Sequence, residues 1–281
     1  MTAVQAHERF ITVNGLRLRY LDWGTAGKPP MVCLHGHTGY LGIWDEFVES
    51  MAPYYHVFTL DQRGHGGSQW ATDGYERDRY VEDLATFVDG LGLSRFTLVG
   101  LSMGGWNALL YTPQHPERVE RVILVDIAPE PSEASRQQRG TRPPTPLEFD
   151  SLEDAVARDR DANPGATEAR HRKNLTDKVR QREDGKWVWR ADPTLFITPL
   201  RDGRDRGLMD RYWSSLGSIS CPILEVRGAL SILVSDEILE RMRRANSRFS
   251  WVDVAGAGHE VPVDKPQEFI SATRAFLGLP A

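Results

Sequence analysis

Gly100-Leu101-Ser102-Met103-Gly104 sets a serine between two glycines. An apolar run, Phe96-Thr-Leu-Val99, precedes it, and the helical pattern Trp106–Tyr111 follows it, stopped by Pro113. A strand that turns this sharply into a helix holds the serine in a strained conformation with its hydroxyl above the sheet. The flanking positions must be glycine because a side chain there would strike neighbouring backbone. The serine also stands at a helix N-terminus, where free N–H groups and the helix dipole favour a developing anion. Ser102 is therefore read as a nucleophile for acyl transfer. His259, in Ala255-Gly-Ala-Gly-His259, lies on the loop after the last predicted strand and before the last predicted helix. A loop at the carboxyl end of a strand can reach over the sheet, so His259 is the candidate general base. The order serine then histidine fits this elbow class. A tetrahedral oxyanion needs two backbone donors. The N–H of Met103 is one, and the loop His35-Gly36-His37-Thr38-Gly39 supplies the other, at His37. The His37 side chain is expected to line the pocket and His35 to act as a structural hydrogen-bonding group. A metal at these two histidines is not expected, because no further His or Asp ligands follow at useful spacing.

The elements that must position these groups follow from periodicity. Phe10–Val13 and Leu16–Asp22 flank Asn14-Gly15, the preferred two-residue hairpin turn. Pro30–Leu34, Val57–Leu60, Phe96–Val99 and Val122–Val125 are short apolar runs suited to buried strands. Helical stripes alternate with them: Trp44, Phe47, Val48 and Met51, then Val81, Leu84, Ala85, Val88 and Leu91, the latter closed by Gly92. This rhythm means a parallel sheet with right-handed crossovers. It breaks after Asp126, where Pro129, Pro131, Pro143, Pro144 and Pro146 crowd together. It resumes at Pro222–Val226, Asp236–Ala245, Phe249–Val254 and Pro266–Leu277. Residues 127–218 thus read as a charged, mainly helical insertion, including Leu152–Arg160 and Ala166–Val179, within one domain built from 1–126 and 219–281. Its aromatics Trp187, Trp189, Tyr212 and Trp213 are read as insertion core.

Composition excludes several classes of function. The 281 residues carry 34 Lys+Arg against 39 Asp+Glu, a formal net charge of -5, which argues against nucleic acid or an anionic membrane as partner. Aliphatic and aromatic residues are plentiful throughout, so a packed core is expected. The first ten residues lack the apolar stretch of a signal peptide, and no run of about 18 apolar residues suggests a membrane span. A cytoplasmic location is expected. Cys33 and Cys221 sit inside or beside apolar runs and read as lone buried thiols. No G-x-G-x-x-G follows a strand, so no nicotinamide or flavin cofactor is expected.

Taken in order, His35-Gly36, Asp61-Gln-Arg-Gly-His-Gly-Gly-Ser68, the turn at Ser102 and Gly258-His259 resemble the α/β-hydrolase superfamily over nearly all the chain outside the insertion. The resemblance implies a mostly parallel eight-stranded sheet with residues 127–218 as a helical cap over the pocket. It carries the nucleophile role to Ser102, the base role to His259 and the oxyanion role to His37 and Met103. It also exposes a departure. The superfamily's usual acid follows the strand Pro222–Val226, about four residues past a glycine, and there Ile232 stands. An isoleucine cannot orient an imidazole. Asp126, Glu225 and Asp236 are the candidate replacements. Asp126 is favoured because it ends the strand where the haloalkane-dehalogenase-like branch keeps its acid. Asp236 reads as part of a helix's first turn, and Glu225 lies inside a strand.

The expected function is serine-dependent hydrolysis of a small or medium apolar ester or lactone through an acyl-enzyme. Carbon–carbon or amide hydrolysis and perhydrolysis would use the same parts. Ile232 favours a different class of reading, a hydrolase-fold binding protein whose catalysis has weakened. The intact Ser102 turn, oxyanion loop and His259 count against it.

Overall fold

In a computed structural model the described residues are 5–24, 26–138, 144–162, 165–197 and 205–280. Pro143, one of the crowded prolines, lies outside them. The hairpin forms as Asn14-Gly15 dictates: both residues take positive φ, 48° and 81°, and Val13 pairs with Leu16. It joins β1 (His7–Val13) to β2 (Leu16–Trp23). The apolar runs become β3 (Pro30–Leu34), β4 (His56–Leu60), β5 (Phe96–Leu101) and β6 (Val119–Val125). After the insertion come β10 (Ile223–Gly228) and β11 (Phe249–Val254). These eight strands lie in the order β1-β2-β4-β3-β5-β6-β10-β11. Every pair from β4 to β11 is parallel, and β2 is antiparallel to both of its neighbours.

Alternation along each strand builds two cores. Val32 and Leu34 of β3 with Val122 and Leu124 of β6 face one side; Met31, Cys33, Ile123 and Val125 face the other. Helices α2 (Arg77–Gly90) and α3 (Met103–Tyr111) cover the first face, and α1 (Asp45–Met51) covers the second. Both cysteines are buried and unpaired. Among the described residues no helix is long and apolar enough to cross a membrane.

The inserted segment holds α4 (Glu133–Gln137), α5 (Leu152–Ala162), α6 (Glu168–Lys178) and α7 (Thr194–Ile197). It differs from the mainly helical expectation in one respect. Strands β7 (Glu148–Phe149), β8 (Val179–Gln181) and β9 (Trp187–Trp189) form a small antiparallel sheet. Runs of two or three residues are too short for periodicity to register. Trp187 and Trp189 pack on the local core of Phe149, Val156 and Leu175, as insertion-core residues should. The last helix of the predicted insertion, α8 (Arg206–Ser218), belongs instead with the main body. Its Tyr212 and Leu216 are fully buried in the core over the sheet, and Tyr212 stacks on Trp106 of α3. The stripe Leu208, Tyr212, Leu216 at i, i+4, i+8 carried that signal, diluted by surrounding charge. The chain closes with α9 (Asp236–Ala245) on the first face, then α10 (Val261–Asp264) and α11 (Pro266–Leu277) on the second.

Candidate active site

Ser102 follows the last residue of β5 and caps α3 at φ 51°, ψ -116°. No L-residue adopts this conformation cheaply; the cost is about 1–3 kcal/mol. Close packing imposes it. A Cβ on Gly100 would lie 2.4 Å from the Gly104 carbonyl oxygen, and one on Gly104 would lie 2.3 Å from the Leu34 carbonyl oxygen. Only glycine on both sides lets strand and helix meet this tightly. The Met103 N–H, first in the helix, has no intrahelical acceptor and points out of the helix start.

The His35–Gly39 loop passes directly beside the serine: a Cβ on Gly36 would come 3.2 Å from the Ser102 Cβ. Two buried imidazoles fix that loop. His35 Nε2 accepts from the Gln62 N–H at 3.0 Å, and its Nδ1 donates to the Gly36 carbonyl at 2.7 Å. His65 Nε2 accepts from the Thr38 N–H at 3.1 Å, and its Nδ1 donates to the Arg63 carbonyl at 2.8 Å. Both rings must be neutral to accept these bonds. Burial holds the His35 pKa down to about 4 and keeps that of His65 well below the ordinary imidazole value. His35 is thus a structural hydrogen-bonding group, as its position suggested. The His37 side chain reaches the insertion instead, with Nε2 2.8 Å from the Leu195 carbonyl of α7. The Asp61–Ser68 segment, unassigned beyond its resemblance, is the brace. Asp61 accepts from the N–H groups of Leu41 at 2.8 Å and Gly67 at 2.9 Å, and the buried Arg63 guanidinium grips Asp83.

His259 stands on the turn after β11, with Nδ1 2.7 Å from Asp126 Oδ2. A carboxylate only accepts, so Nδ1 carries the proton and the ring lone pair lies on Nε2. Asp126 is fully buried, whereas the His259 side chain is 35% exposed. That split suits an acid that orients and a base that reaches the reacting atoms. Asp126 itself has φ 50°, a strained position for a non-glycine residue. Four contacts hold it there. Its N–H donates to the Val226 carbonyl at 3.1 Å, and its carboxylate accepts from the Gly228 N–H at 3.3 Å, Ser231 Oγ at 2.5 Å and His259.

The other acid candidates fall elsewhere. Asp236 is exposed at the start of α9 and pairs with Arg227 at 2.7 Å, while Ser235 caps the helix. Glu225 is buried beside Asp126 and accepts from the Ile127 N–H at 2.9 Å. Burial, and then the Asp126 charge, push its pKa well above the carboxylate range. Ile232 contributes its carbonyl, which accepts from Ser132 Oγ. Ser231, one position earlier, is the loop side chain that meets Asp126. Periodicity gave no sign of it, since the loop carries no repeating pattern.

The nucleophile-turn geometry, the braced loop and the histidine agree with a family match. Residues 29–266 fit the family described as alpha/beta hydrolase fold. The chain belongs to this family. Across the hydrolase family it is similar to the esterase Rv0045c of Mycobacterium tuberculosis, 28% identical over 92% of this chain and 85% of that protein. It is equally similar to the 3-hydroxybutyrate-oligomer hydrolase of Cupriavidus necator, 28% identical over 93% of each chain. Among solved structures, the M. tuberculosis esterase superposes with a TM-score of 0.78 at 26% identity, over 97% of this hydrolase chain and 92% of that one. E-2-(acetamidomethylene)succinate hydrolase superposes with a TM-score of 0.83 at 24% identity, over 98% and 100%, and shows the shared fold.

Proposed function

We propose that this hydrolase-family chain is a serine esterase acting on small or medium esters or lactones. The observation that carries the reading is the 2.7 Å contact between the buried Asp126 and His259, set beside the strained Ser102 turn. Ser102 Oγ bonds to the ester carbonyl carbon while His259 Nε2 takes its proton. The N–H groups of His37 and Met103 hold the oxyanion. Collapse expels the alcohol, which receives the proton from His259, and leaves an acyl-serine. Water, deprotonated by the same nitrogen, then releases the acid. Asp126 keeps the imidazole tautomer and steadies the imidazolium. The inserted segment up to α7 acts as the cover over this pocket, and the Leu195 contact to His37 supports that placement. The esterase and the 3-hydroxybutyrate-oligomer hydrolase named above are consistent with ester bonds as the target. The binding-protein alternative drew its force from a missing carboxylate, and Asp126 supplies one.

The test is reaction with a fluorophosphonate probe, read by mass spectrometry, together with turnover of p-nitrophenyl esters of increasing acyl length. Labelling at Ser102, with both labelling and turnover abolished by Ser102→Ala, supports the reading. A wild-type protein that neither labels nor turns over any ester defeats it.

A further inference from the structure

Helix α6 buries the wrong kind of face. Its buried residues are Arg170, His171, Asn174, Leu175 and Lys178, four of them polar. Polar groups are taken out of water only at a cost, which partners normally offset. Some partners are present. Arg170 donates to Glu46 at 2.9 Å and to the Ile43 carbonyl at 3.2 Å, and His171 Nδ1 lies 2.7 Å from Asp159. The Asn174 carbonyl oxygen accepts from the Tyr40 hydroxyl at 3.3 Å. Its Nδ2, fully buried, has no hydrogen-bond partner among the described residues. The Lys178 ammonium, 8% exposed, has Glu260 Oε1 at 3.8 Å, beyond hydrogen-bond distance.

The placement of these donors ties them to the active site. Glu260, the partner of Lys178, is the residue after His259. One turn of helix separates Asn174 from Lys178, so the two donors share a face. An ammonium with three N–H groups and a spare amide N–H, one turn apart beside a catalytic centre, matches an acceptor-only anion.

We infer that Lys178 and Asn174 form a subsite for a carboxylate carried by the ester substrate. The inference rests on the serine-esterase reading for the reaction but not for the binding. It replaces the expectation of a wholly apolar substrate with one that has an ester at one end and a carboxylate at the other.

Monomethyl glutarate and methyl valerate have similar length and differ in that carboxylate. Hydrolysis followed by pH-stat gives the ratio of their kcat/KM values. The wild type is expected to favour the anionic ester, and Lys178→Met to lower the ratio by about tenfold or more, through KM. Lys178→Arg should retain part of the preference. Asn174→Asp, which sets a like charge against the substrate at nearly constant volume, should lower the ratio as well, and it serves if Lys178→Met does not fold. Lys173→Met, on the exposed side and paired with Asp45, is the control and should leave the ratio unchanged. A bridge with a structural role alone would lower both esters together, and an unchanged ratio in Lys178→Met and Asn174→Asp overturns the inference. Glutarate binding to Ser102→Ala, measured by calorimetry, needs no turnover. Binding that Lys178→Met abolishes sustains the subsite even if every ester fails and the esterase reading falls. No binding, with no wild-type preference, removes the subsite and leaves the esterase reading intact.

Discussion

Ser102 and Asp126 leave the sheet side by side. Leu101 of β5 pairs with Val125 of β6, so each is the first residue beyond a paired strand end. Each also has positive φ, 51° and 50°. The Ser102 N–H donates to the Val125 carbonyl at 3.1 Å, binding the two exits together. From the turn after β11, at the sheet's far edge, His259 reaches back to Asp126 at this double exit.

If Asp126 orients His259, Asp126→Asn leaves the fold intact and presents the wrong tautomer. We expect kcat to fall by about 10²–10⁴-fold, by analogy with serine-protease triads. Asp236→Asn should stay within about twofold, since Asp236 lies on the surface with Arg227. Steady-state kinetics of the two variants, with melting temperatures as a fold control, decide the assignment. Equal activity in Asp126→Asn and wild type would remove Asp126 from the mechanism.

Ser231 donates to the oxygen of Asp126 that also meets His259, and it accepts from the Leu233 N–H at 3.2 Å. If Asp126 orients His259, Ser231 acts through it as a positioning residue. Ser231→Ala should lower kcat by about 3–30-fold with little change in KM, the signature of a contact that matters in the transition state. In an Asp126→Asn background the same change should have little further effect, because residues of one unit are not additive. Two independent losses would show that Ser231 acts only on loop stability.

Burial and the neighbouring Asp126 charge raise the Glu225 pKa well above the ordinary value of 4.5 at which the unfolded chain ionises. Its contribution to stability is therefore undiminished at low pH and is lost as pH rises above that value. Glu225→Gln keeps an acceptor for the Ile127 N–H and does not ionise. Its melting temperature should gain on that of the wild type steadily from pH 4 to pH 8. A constant difference across that range would mean that Glu225 is ionised in the native state.

His35 and His65 act in the opposite sense. Both stay neutral when folded, whereas the unfolded chain takes up protons near pH 6.5. The stability they give is present above that pH and is lost as pH falls toward 4, at up to about 1.4 kcal/mol per pH unit for each ring. His65→Gln should be less stable than wild type at pH 8, having lost its fit to Thr38 and Arg63. It should also show a shallower decline in melting temperature between pH 6.5 and 4.5. Parallel declines would contradict neutral burial of His65.

The parts legible in the sequence share one property: they are local. The Asn14-Gly15 hairpin, the apolar strand runs and the Gly100–Gly104 turn are each set by residues within a few positions of one another. The short strands β7, β8 and β9 escaped because each has only two or three residues, which pair with residues distant in the chain. The α8 boundary was blurred because α8 follows a charged insertion but packs on α3 and the sheet.

The site divides along the same line. The turn at Ser102 could be read from sequence because backbone sterics alone demand glycine on both sides of it, and the place of His259 because its loop lies at a strand's carboxyl end. Among the three carboxylates, sequence could rank Asp126 first but could not decide. Which one meets His259 depends on strand order β6-β10-β11 and on how the Ala229–Val234 loop folds, both settled by long-range pairing. The same holds for Ser231, which reaches Asp126 across 105 positions, and for Lys178, which comes to His259's neighbour Glu260 only when α6 is seated. Local sterics and periodicity therefore determined the strained turn at Ser102 and the layered sheet. The carboxylate that meets His259, the hydroxyl that supports it and the buried polar face of α6 were decided by tertiary packing, because a hydrogen bond between distant segments leaves no pattern in either one.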